Sequence, residues 1–297
     1  MKRARVAYAG AIHDAGPLPP SEGERLREGE RLREGEGLRK GERSLGGGYS
    51  HDGGQSSSDG RLPVGEQLRL ADGRTVGSAE VVWLPPFNVG TVIALGLNYA
   101  DHARELAFAA QEEPLVFLKG PGSLLGHCGV TRRPADVKFM HYECELAVVI
   151  GRPGRQVARA RAFEHVAGYC IANDYAVRDY LENWYRPNLR VKNRDGGTVL
   201  GPWFVDAADV ADPANLGLRS FVNGRLTQSG NTRDMIFDIP YLIEYLSSFM
   251  TLSPGDVILT GTPEGVVNVM PGDVVACEID GLGRLVNRIA ADDEFGR

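Results

Sequence analysis

A pair of acidic residues precedes and enters a hydrophobic strand in the segment MHYECELAVVIG, Met140 to Gly151. The apolar run LAVVIG predicts a buried strand, and side chains two apart in a strand point to the same face. Glu143 and Glu145 therefore share a face, where their like charges repel each other. Burying such a pair is costly unless a positive group lies between the two carboxylates. The segment thus favours a fold that places a cation at the start of this strand.

A third carboxylate, Asp174, ends the segment VAGYCIAND, which predicts a second strand. Three carboxylates without an imidazole or thiolate ligand motif suit a hard cation that prefers oxygen, such as Mg²⁺ or Mn²⁺. Magnesium commonly keeps coordination positions open for water or substrate oxygens, which is typical of a catalytic site. A solvated strand face is the alternative interpretation of the Glu-x-Glu pair, but the apolar run after it favours burial.

Two further segments carry residues of the kind that an active site uses. GLNYADHARE places His102 and Glu105 three positions apart on a predicted helix, where their side chains can meet. A carboxylate beside an imidazole orients the ring and raises its basicity, as a general base requires. TGTPEGV places Thr260 and Thr262 in a turn, where hydroxyl and N–H groups could bind a carboxylate. A surface contact and an ordinary turn are the simpler interpretations of these segments.

The composition excludes several classes of partner. With 297 residues, of which 42% are hydrophobic and 24% charged, the chain can bury a large core. Its formal net charge of -6 predicts no nucleic-acid partner, and no apolar run is long enough to predict a membrane span. Four scattered cysteines without a CxxC pair favour free thiols in the cytoplasm. The early segment RVAYAGAI is interpreted as a first strand rather than as part of a signal peptide.

A low-complexity stretch interrupts the first part of the chain. From Gly23 the sequence repeats GERLRE and then continues into the Gly/Ser-rich GGGYSHDGGQSSSDG. A glycine every six residues breaks a helix and the apolar content is too thin for a core, so about residues 21–60 are predicted to be a disordered insertion. The insertion divides a predicted small N-terminal β domain, residues 1–88, which continues with a hairpin turn at Asp72-Gly73. Residues 89–297 are the predicted catalytic domain.

Strand patterns dominate the rest of the sequence. TVIALG, PLVFLKG and GDVILTG are short apolar strands, and LRSFVNGRLTQSG is a hairpin with an Asn-Gly turn. DIPYLIEYLSSFM is the clearest helical segment. Because regular βαβ alternation is absent, the sequence predicts an α+β fold built around a β-roll or barrel with short helices.

Seven segments match, in chain order, the motifs of one enzyme family. They are GLNYADHARE, HYECELAVVIG, ANDYAVRDY, VKNRDGGTVLGPW, FVNGRLTQSGNT, PGDVILTGTPEGV and PGDVVACEIDGLGRLVNRI. Over about residues 89–289 the chain resembles the fumarylacetoacetate hydrolase family, and the resemblance implies its β-rich roll and a metal-dependent enzyme. The segment NDYAVRDYLENWYRPNLRVKNRDG is similar to members that act on 5-oxopent-3-ene-1,2,5-tricarboxylate and 2-hydroxyhepta-2,4-diene-1,7-dioate in homoprotocatechuate degradation.

The resemblance also implies roles for the candidate site residues. The metal ligands would be Glu143, Glu145 and Asp174. The 2-oxo acid end of the substrate would chelate Mg²⁺ or Mn²⁺, which as a Lewis acid stabilises the dienolate that decarboxylation leaves. His102 with Glu105 is the predicted acid/base pair for the isomerisation. Lys192 matches a family lysine near the metal, where it could stabilise an enolate oxygen or a carboxylate.

A tricarboxylate substrate needs cationic groups beyond the metal. Several arginines lie in the same loop as Lys192, with aromatic residues between them. Arginine binds carboxylates through two parallel hydrogen bonds, so Arg178 and Arg190, together with Thr262, are the predicted substrate-binding residues. The family usually forms dimers, so a homodimer is expected.

Alternatives remain open at this point. Some members of the subgroup carry two such repeats in one chain and this chain carries one, so decarboxylation and isomerisation need not both reside here. The same scaffold could hydrolyse the C–C bond of an acylpyruvate, with water activated by His102 and Glu105. A non-catalytic carboxylate-binding module is the alternative from another class, and the complete set of site residues argues against it.

Overall fold

The computed structural model describes residues 1–18, 67–101, 112–181 and 188–292. Strands dominate these ranges, and the two α-helices that lie wholly within them are short: α1 (Leu189–Lys192) and α2 (Ile239–Phe249). The strands are β1 (Lys2–Tyr8), β2 (Ala11–Pro17), β3 (Gln67–Leu70), β4 (Thr75–Gly77), β5 (Val82–Leu84), β6 (Val92–Gly96), β7 (Leu115–Lys119), β8 (Leu124–Gly126), β9 (Val130–Arg133), β10 (Met140–His141), β11 (Cys144–Ile150), β12 (Val166–Asp174), β13 (Ala176–Val177), β14 (Thr198–Asp206), β15 (Gly217–Val222), β16 (Arg225–Asn231), β17 (Val257–Leu259), β18 (Val274–Ile279) and β19 (Gly283–Ala291). The predicted α+β class is confirmed.

Two mixed sheets organise the strands. The larger has 12 strands, in the order β4-β3-β2-β1-β14-β12-β11-β17-β6-β7, with β5 beside β1 and β8 beside β14. The smaller has five, in the order β16-β15-β18-β19-β9, and β10 pairs with β13 as a two-stranded ribbon. Parallel pairs occur between β8 and β14, β6 and β17, and β9 and β19, while the other pairs are antiparallel.

The main hydrophobic core draws on strands of both sheets and on α2. Strand β11 is buried along its whole length, and its apolar run LAVVI predicts this burial for all but the first two residues. Leu146 and Val148 of β11 belong to the same cluster as Leu218 of β15 and Leu242 of α2. Because both sheets contribute to this core, residues at the ends of β11 and β12 lie next to residues of the smaller sheet.

The first strand predicted from the sequence is in fact a hairpin. The segment RVAYAGAI spans the end of β1, a turn and the start of β2, so the prediction of one strand was wrong. The turn residues Ala9 and Gly10 have φ values of 50° and 80°, a left-handed pair that suits a tight hairpin. The apolar residues of the segment continue across the turn, and the pattern therefore does not reveal where the chain reverses.

The N-terminal strands have a small hydrophobic cluster of their own. It contains Val6, Leu68, Leu70 and Trp83, and Trp203 of β14 packs against it. The cluster is joined to the larger sheet because Lys2 and Arg3 pair with Val205 and Phe204 of β14. The predicted hairpin at Asp72-Gly73 is present between β3 and β4. The proposed boundary at residue 88 stays a prediction, and the predicted insertion at about residues 21–60 lies outside the described residues.

His127 lies between this cluster and the smaller sheet. Its ring packs edge-on against Trp83 with 4.8 Å between centroids, and its Nδ1 accepts a hydrogen bond from the Val286 N–H at 3.1 Å. Burial lowers the pKa of His127 to about 3, because the charged imidazolium is poorly solvated there. The folded protein therefore holds this ring neutral.

We expect His127 to make the fold acid-sensitive. The unfolded chain takes up a proton near pH 6.5 and the folded chain only near pH 3, so this contribution to stability falls as pH drops through that window. In His127→Asn, which keeps an acceptor for the Val286 N–H, the loss of unfolding free energy between pH 7 and pH 5 should be smaller by about 2 kcal/mol. Urea unfolding at both pH values measures this loss for the unmodified protein and for His127→Asn. Equal losses in the two proteins would contradict the prediction.

Within the described ranges, neither helix has the length and apolar character that crossing a membrane requires.

Candidate metal centre and active site

The pairing of β11 with β12 brings the three predicted metal ligands together. Glu143 lies just before β11, Glu145 is its second residue, and Asp174 is the last residue of β12. Cys144 is opposite Asn173, and the Asp174 N–H donates to the Glu143 carbonyl at 2.9 Å. One carboxylate oxygen from each of the three side chains lies within 4.8 Å of the others, and all three residues are buried.

The donor set fits a divalent cation. Oε2 of Glu145 accepts a hydrogen bond from the Gly261 N–H at 2.7 Å, while its Oε1 is buried without a hydrogen-bond partner in the described part of the chain. Burial, reinforced by the charges of Asp174 and Glu143, raises the pKa of Glu145 well above its usual range. An unpartnered oxygen beside mutually repelling carboxylates is the environment in which a hard cation is strongly stabilised.

Two lysines contact carboxylates of this cluster. Lys192, the last residue of α1, donates from Nζ to Oε2 of Glu143 at 2.6 Å and to Oδ2 of Asp174 at 2.9 Å. Burial lowers its pKa, but the charges of Asp174 and Glu143 outweigh burial, so the pKa of Lys192 is raised. The sequence prediction placed Lys192 near the metal, and the structure brings it to two of the three predicted ligands.

The second lysine, Lys119, was not predicted from the sequence. Its fully buried ammonium group contacts Oδ1 of Asp174. Burial lowers the pKa of Lys119 and the charge of Lys192 adds to this, whereas Asp174 opposes it. The signal was present in the segment LVFLK, because Phe117 and Lys119 are two apart and occupy the buried face of β7. A lysine on an apolar strand face indicates a buried partner of opposite charge.

Arg178, a predicted substrate-binding residue, lies beside the cluster. Its Nη2 is 3.5 Å from Oε1 of Glu143, and its Nε donates to Nε2 of His141 at 2.5 Å. His141 is fully buried, and its Nδ1 is 3.8 Å from the same Glu143 oxygen. His141, which sequence reasoning missed, therefore orients the guanidinium group next to a predicted metal ligand.

Thr260 and Thr262 follow β17, the strand that pairs with β11 and its Glu145. Thr262 is buried, and its Oγ1 accepts a hydrogen bond from Nε2 of Gln228 at 3.0 Å. Gly261, the residue before it, binds Glu145 through its N–H. The Thr260 hydroxyl instead donates to the Leu146 carbonyl at 3.0 Å, so it is engaged in holding the fold together.

Arg190 lies on the solvent side of α1. Its guanidinium carbon stacks 3.8 Å from the ring centroid of Tyr180, at a cavity of about 1020 Å³ that Arg132 and Arg194 also line. Within the described residues, no ion pair or hydrogen bond joins Arg190 to the three carboxylates. The structure thus brings Arg178 and Lys192 to the cluster and places Arg190 at a neighbouring groove, so its role in substrate binding stays a prediction.

The predicted acid/base pair is not among the described residues. His102 and Glu105 fall in the range 102–111, and the aromatic-basic stretch 182–187 is also outside. Their roles stay predictions from the sequence. Tyr99, three residues before His102, is described: its hydroxyl is buried and has no hydrogen-bond partner in the described part of the chain, and burial followed by the charge of Glu145 raises its pKa.

The strand-rich fold, together with three carboxylates that converge at the ends of β11 and β12, gives a scaffold that could hold a metal ion. The chain belongs to the fumarylacetoacetate hydrolase family, because the sequence model of the family "Fumarylacetoacetate (FAA) hydrolase C-terminal" matches residues 91–290. The resemblance recognised from seven sequence segments, and the β-rich fold that it implied, are therefore confirmed.

The chain is similar to one curated protein and two solved structures that have named activities. The chain is 56% identical over 232 residues to the 4-hydroxyphenylacetate degradation bifunctional isomerase/decarboxylase of Salmonella dublin, covering 78% of this chain and 54% of that protein. It thus spans about half the length of that curated relative. The crystal structure of 5-carboxymethyl-2-hydroxymuconate delta-isomerase from Mycobacterium smegmatis superposes with a TM-score of 0.72 at 34% identity, covering 98% of this chain and 99% of that one. The crystal structure of fumarylpyruvate hydrolase from Pseudomonas aeruginosa, in complex with Mn²⁺ and pyruvate, superposes with a TM-score of 0.66 at 32% identity. The match covers 71% of this chain and 92% of that one.

Proposed function

We propose that this chain is a divalent-metal-dependent enzyme that decarboxylates 5-oxopent-3-ene-1,2,5-tricarboxylate, isomerises 2-hydroxyhepta-2,4-diene-1,7-dioate, or does both. The observation that carries the proposal is the buried cluster of Glu143, Glu145 and Asp174, in which one Glu145 oxygen has no hydrogen-bond partner among the described residues. The identity to the bifunctional isomerase/decarboxylase supports the choice of reaction. The pathway would be the degradation of 4-hydroxyphenylacetate and homoprotocatechuate.

The charges around the site suit a substrate with several carboxylates. Among the described residues, the three carboxylates are matched by three cationic side chains, which are Lys119, Lys192 and Arg178. Counting these described groups alone, a divalent ion would leave two positive charges at the buried cluster. Such an excess attracts an oligocarboxylate and disfavours neutral compounds.

The protein's own groups have distinct tasks in this chemistry. A divalent cation held by the three carboxylates supplies Lewis-acid stabilisation of the negative charge that develops when CO₂ leaves. Lys192 has its ammonium group beside Glu143 and Asp174, from where it can donate to an enolate or carboxylate oxygen. Decarboxylation needs this electron sink more than it needs a base. Isomerisation needs a proton carrier along the conjugated chain, the role proposed for His102 with Glu105.

Recognition of the remaining carboxylates is assigned to arginines and a threonine. Arg178, oriented by His141, offers a guanidinium edge beside Glu143. Thr262 offers a hydroxyl whose oxygen is fixed by Gln228. Arg190 is exposed at the cavity that Arg132 and Arg194 also line, where it could bind a distal carboxylate of the substrate.

The ion would be Mg²⁺ or Mn²⁺, because an all-oxygen donor set suits hard cations of this size. We also propose a homodimer, on the family-based expectation stated above. The four cysteines form no disulfide bonds, which is consistent with a cytoplasmic location.

A second function is favoured by one observation, the similarity to the fumarylpyruvate hydrolase. The same three carboxylates would then hold a divalent ion that could polarise an acylpyruvate, and His102 with Glu105 would activate the water for C–C bond hydrolysis. Decarboxylation releases CO₂ and hydrolysis releases a second carboxylic acid, whereas isomerisation releases neither.

The test is the ultraviolet decay of 5-oxopent-3-ene-1,2,5-tricarboxylate with purified enzyme and Mg²⁺, with and without EDTA, and with CO₂ detection. Fumarylpyruvate is the matched substrate for the second function. We expect decay with CO₂ release that EDTA stops and excess Mg²⁺ restores. Folded, metal-loaded protein that cleaves only fumarylpyruvate would assign it to the hydrolases.

A further inference from the structure

A buried network of side-chain amides lies behind the carboxylate cluster. The Asn173 side chain accepts from the Glu143 N–H at 3.2 Å through Oδ1, and donates from Nδ2 to the Tyr175 hydroxyl at 3.0 Å and to Oδ1 of Asn287 at 3.2 Å. Asn287 in turn donates from Nδ2 to Oγ1 of Thr131 at 3.1 Å and to the Tyr175 hydroxyl at 2.9 Å. The network therefore reaches from a predicted metal ligand into the smaller sheet.

Every hydrogen-bonding group of the two amides is used. Asn173 and Asn287 are completely shielded from solvent, and each has partners for its oxygen and for its NH₂ group. A fully satisfied polar network in a low-dielectric interior fixes the geometry of its members, because any displacement leaves a buried polar group unpaired. Apolar side chains would fill the same space without fixing the backbone of Glu143.

The two sheets meet at this network. Asn173 is in β12 of the larger sheet, whereas Asn287 is in β19 and Thr131 in β9 of the smaller sheet. The Thr131 hydroxyl donates to the Gly196 carbonyl at 2.8 Å, in the segment that follows α1 and its Lys192. The network thus ties both carboxylate-bearing strands and the lysine-bearing segment to one point in the smaller sheet.

We propose that Asn287, acting through Asn173, is a positioning residue of the metal centre. Asn173 immediately precedes Asp174 and holds the N–H of Glu143, so its rotamer sets the relative position of two of the three carboxylates. Asn287 fixes that rotamer from the other sheet. The inference rests on the proposed metal-dependent function and adds to it the residues that determine how tightly the ion is held. Groups that orient metal ligands typically change affinity by 10- to 100-fold when removed.

The experiment is a titration of purified full-length protein with Mn²⁺, followed by calorimetry and by electron paramagnetic resonance of the bound ion. Asn287→Leu removes the amide at similar volume, and Tyr175→Phe removes the hydroxyl that both amides share while keeping the ring. Ser247→Ala is the matched control, because Ser247 is a buried polar residue of α2 whose hydroxyl accepts from the Val157 N–H at 2.9 Å, outside the network. Urea unfolding of the metal-free proteins gives the stability change of each variant.

We expect Asn287→Leu to bind Mn²⁺ about 10- to 100-fold more weakly, with an altered resonance spectrum. Tyr175→Phe should shift affinity in the same direction by less, and Ser247→Ala should lose stability with unchanged affinity and spectrum. Should Asn287→Leu not fold, Tyr175→Phe decides alone. Tight binding with an unaltered spectrum in the network variants overturns the positioning role and leaves the metal centre intact. Absence of Mn²⁺ binding in the unmodified protein overturns both proposals.

Discussion

Replacement of Glu145 with glutamine is expected to abolish metal-dependent turnover without destabilising the metal-free protein. The side chain is fully buried, and glutamine has nearly the same shape and can still accept the hydrogen bond from the Gly261 N–H. It cannot supply the anionic oxygen that, within the described part of the chain, has no hydrogen-bond partner in the native cluster. Lewis-acid stabilisation contributes several kcal/mol, so we expect turnover to fall by roughly a thousandfold or more.

The stability effect of Glu145→Gln follows from the direction of the pKa shift. Burial and the charges of Asp174 and Glu143 raise the pKa of Glu145 in the folded state above that of the unfolded chain. Between these two values the folded state binds more protons, so the metal-free protein loses stability as pH rises. Glutamine removes that loss, and the metal-free variant should be at least as stable as the unmodified protein at pH 8.

Three measurements check this prediction: Mn²⁺ binding by calorimetry, urea unfolding without metal at pH 6 and pH 8, and turnover. Glu143→Gln is the informative companion, because Glu143 is paired with Lys192 and its loss should reduce both stability and activity. Glu278→Gln is the control, since this strand glutamate pairs with Arg219 and Arg284 away from the cluster. Native-like Mn²⁺ affinity in Glu145→Gln would rule out Glu145 as a ligand.

The parts of the site that were predictable depend on local patterns. Glu143 and Glu145 are two apart beside an apolar strand, and Asp174 ends another, so strand periodicity and position were enough to propose their convergence. The hairpin at Asn223-Gly224 was also predictable from a local pattern, because its turn type requires the left-handed φ values that Asn and Gly adopt.

The parts that were missed depend on contacts between residues far apart in the chain. Lys119 reaches Asp174 across 55 positions, and Asn173 meets Asn287 across 114. Such pairs are set by the order of strands in a sheet and by the packing of one sheet on the other, and neither leaves a local period. Lys119 carried a weak signal as a charge on an apolar strand face. Asn287 carried none, because an asparagine in LVNRI fits a solvated strand position equally well.

Lys192→Met is expected to change activity and metal affinity in different ways. The ammonium group contacts two of the three carboxylates, so it repels a cation bound by them. Removing this charge should leave Mn²⁺ affinity unchanged or make it tighter. Catalysis should nevertheless fall by about 10²- to 10³-fold, the usual cost of losing one donor to developing negative charge.

Different effects of Lys192→Met on kcat and on Mn²⁺ affinity would distinguish a catalytic role of Lys192 from a structural one. If Lys192 served only to hold Glu143 and Asp174 in place, methionine would weaken metal binding and activity together. If it stabilises the substrate's developing charge, kcat should fall while the Mn²⁺ dissociation constant does not rise. Lys138→Met, at an exposed position, is the control and should change neither quantity. Parallel losses of affinity and kcat in Lys192→Met would therefore remove Lys192 from the proposed chemistry and leave the acid/base pair to carry it.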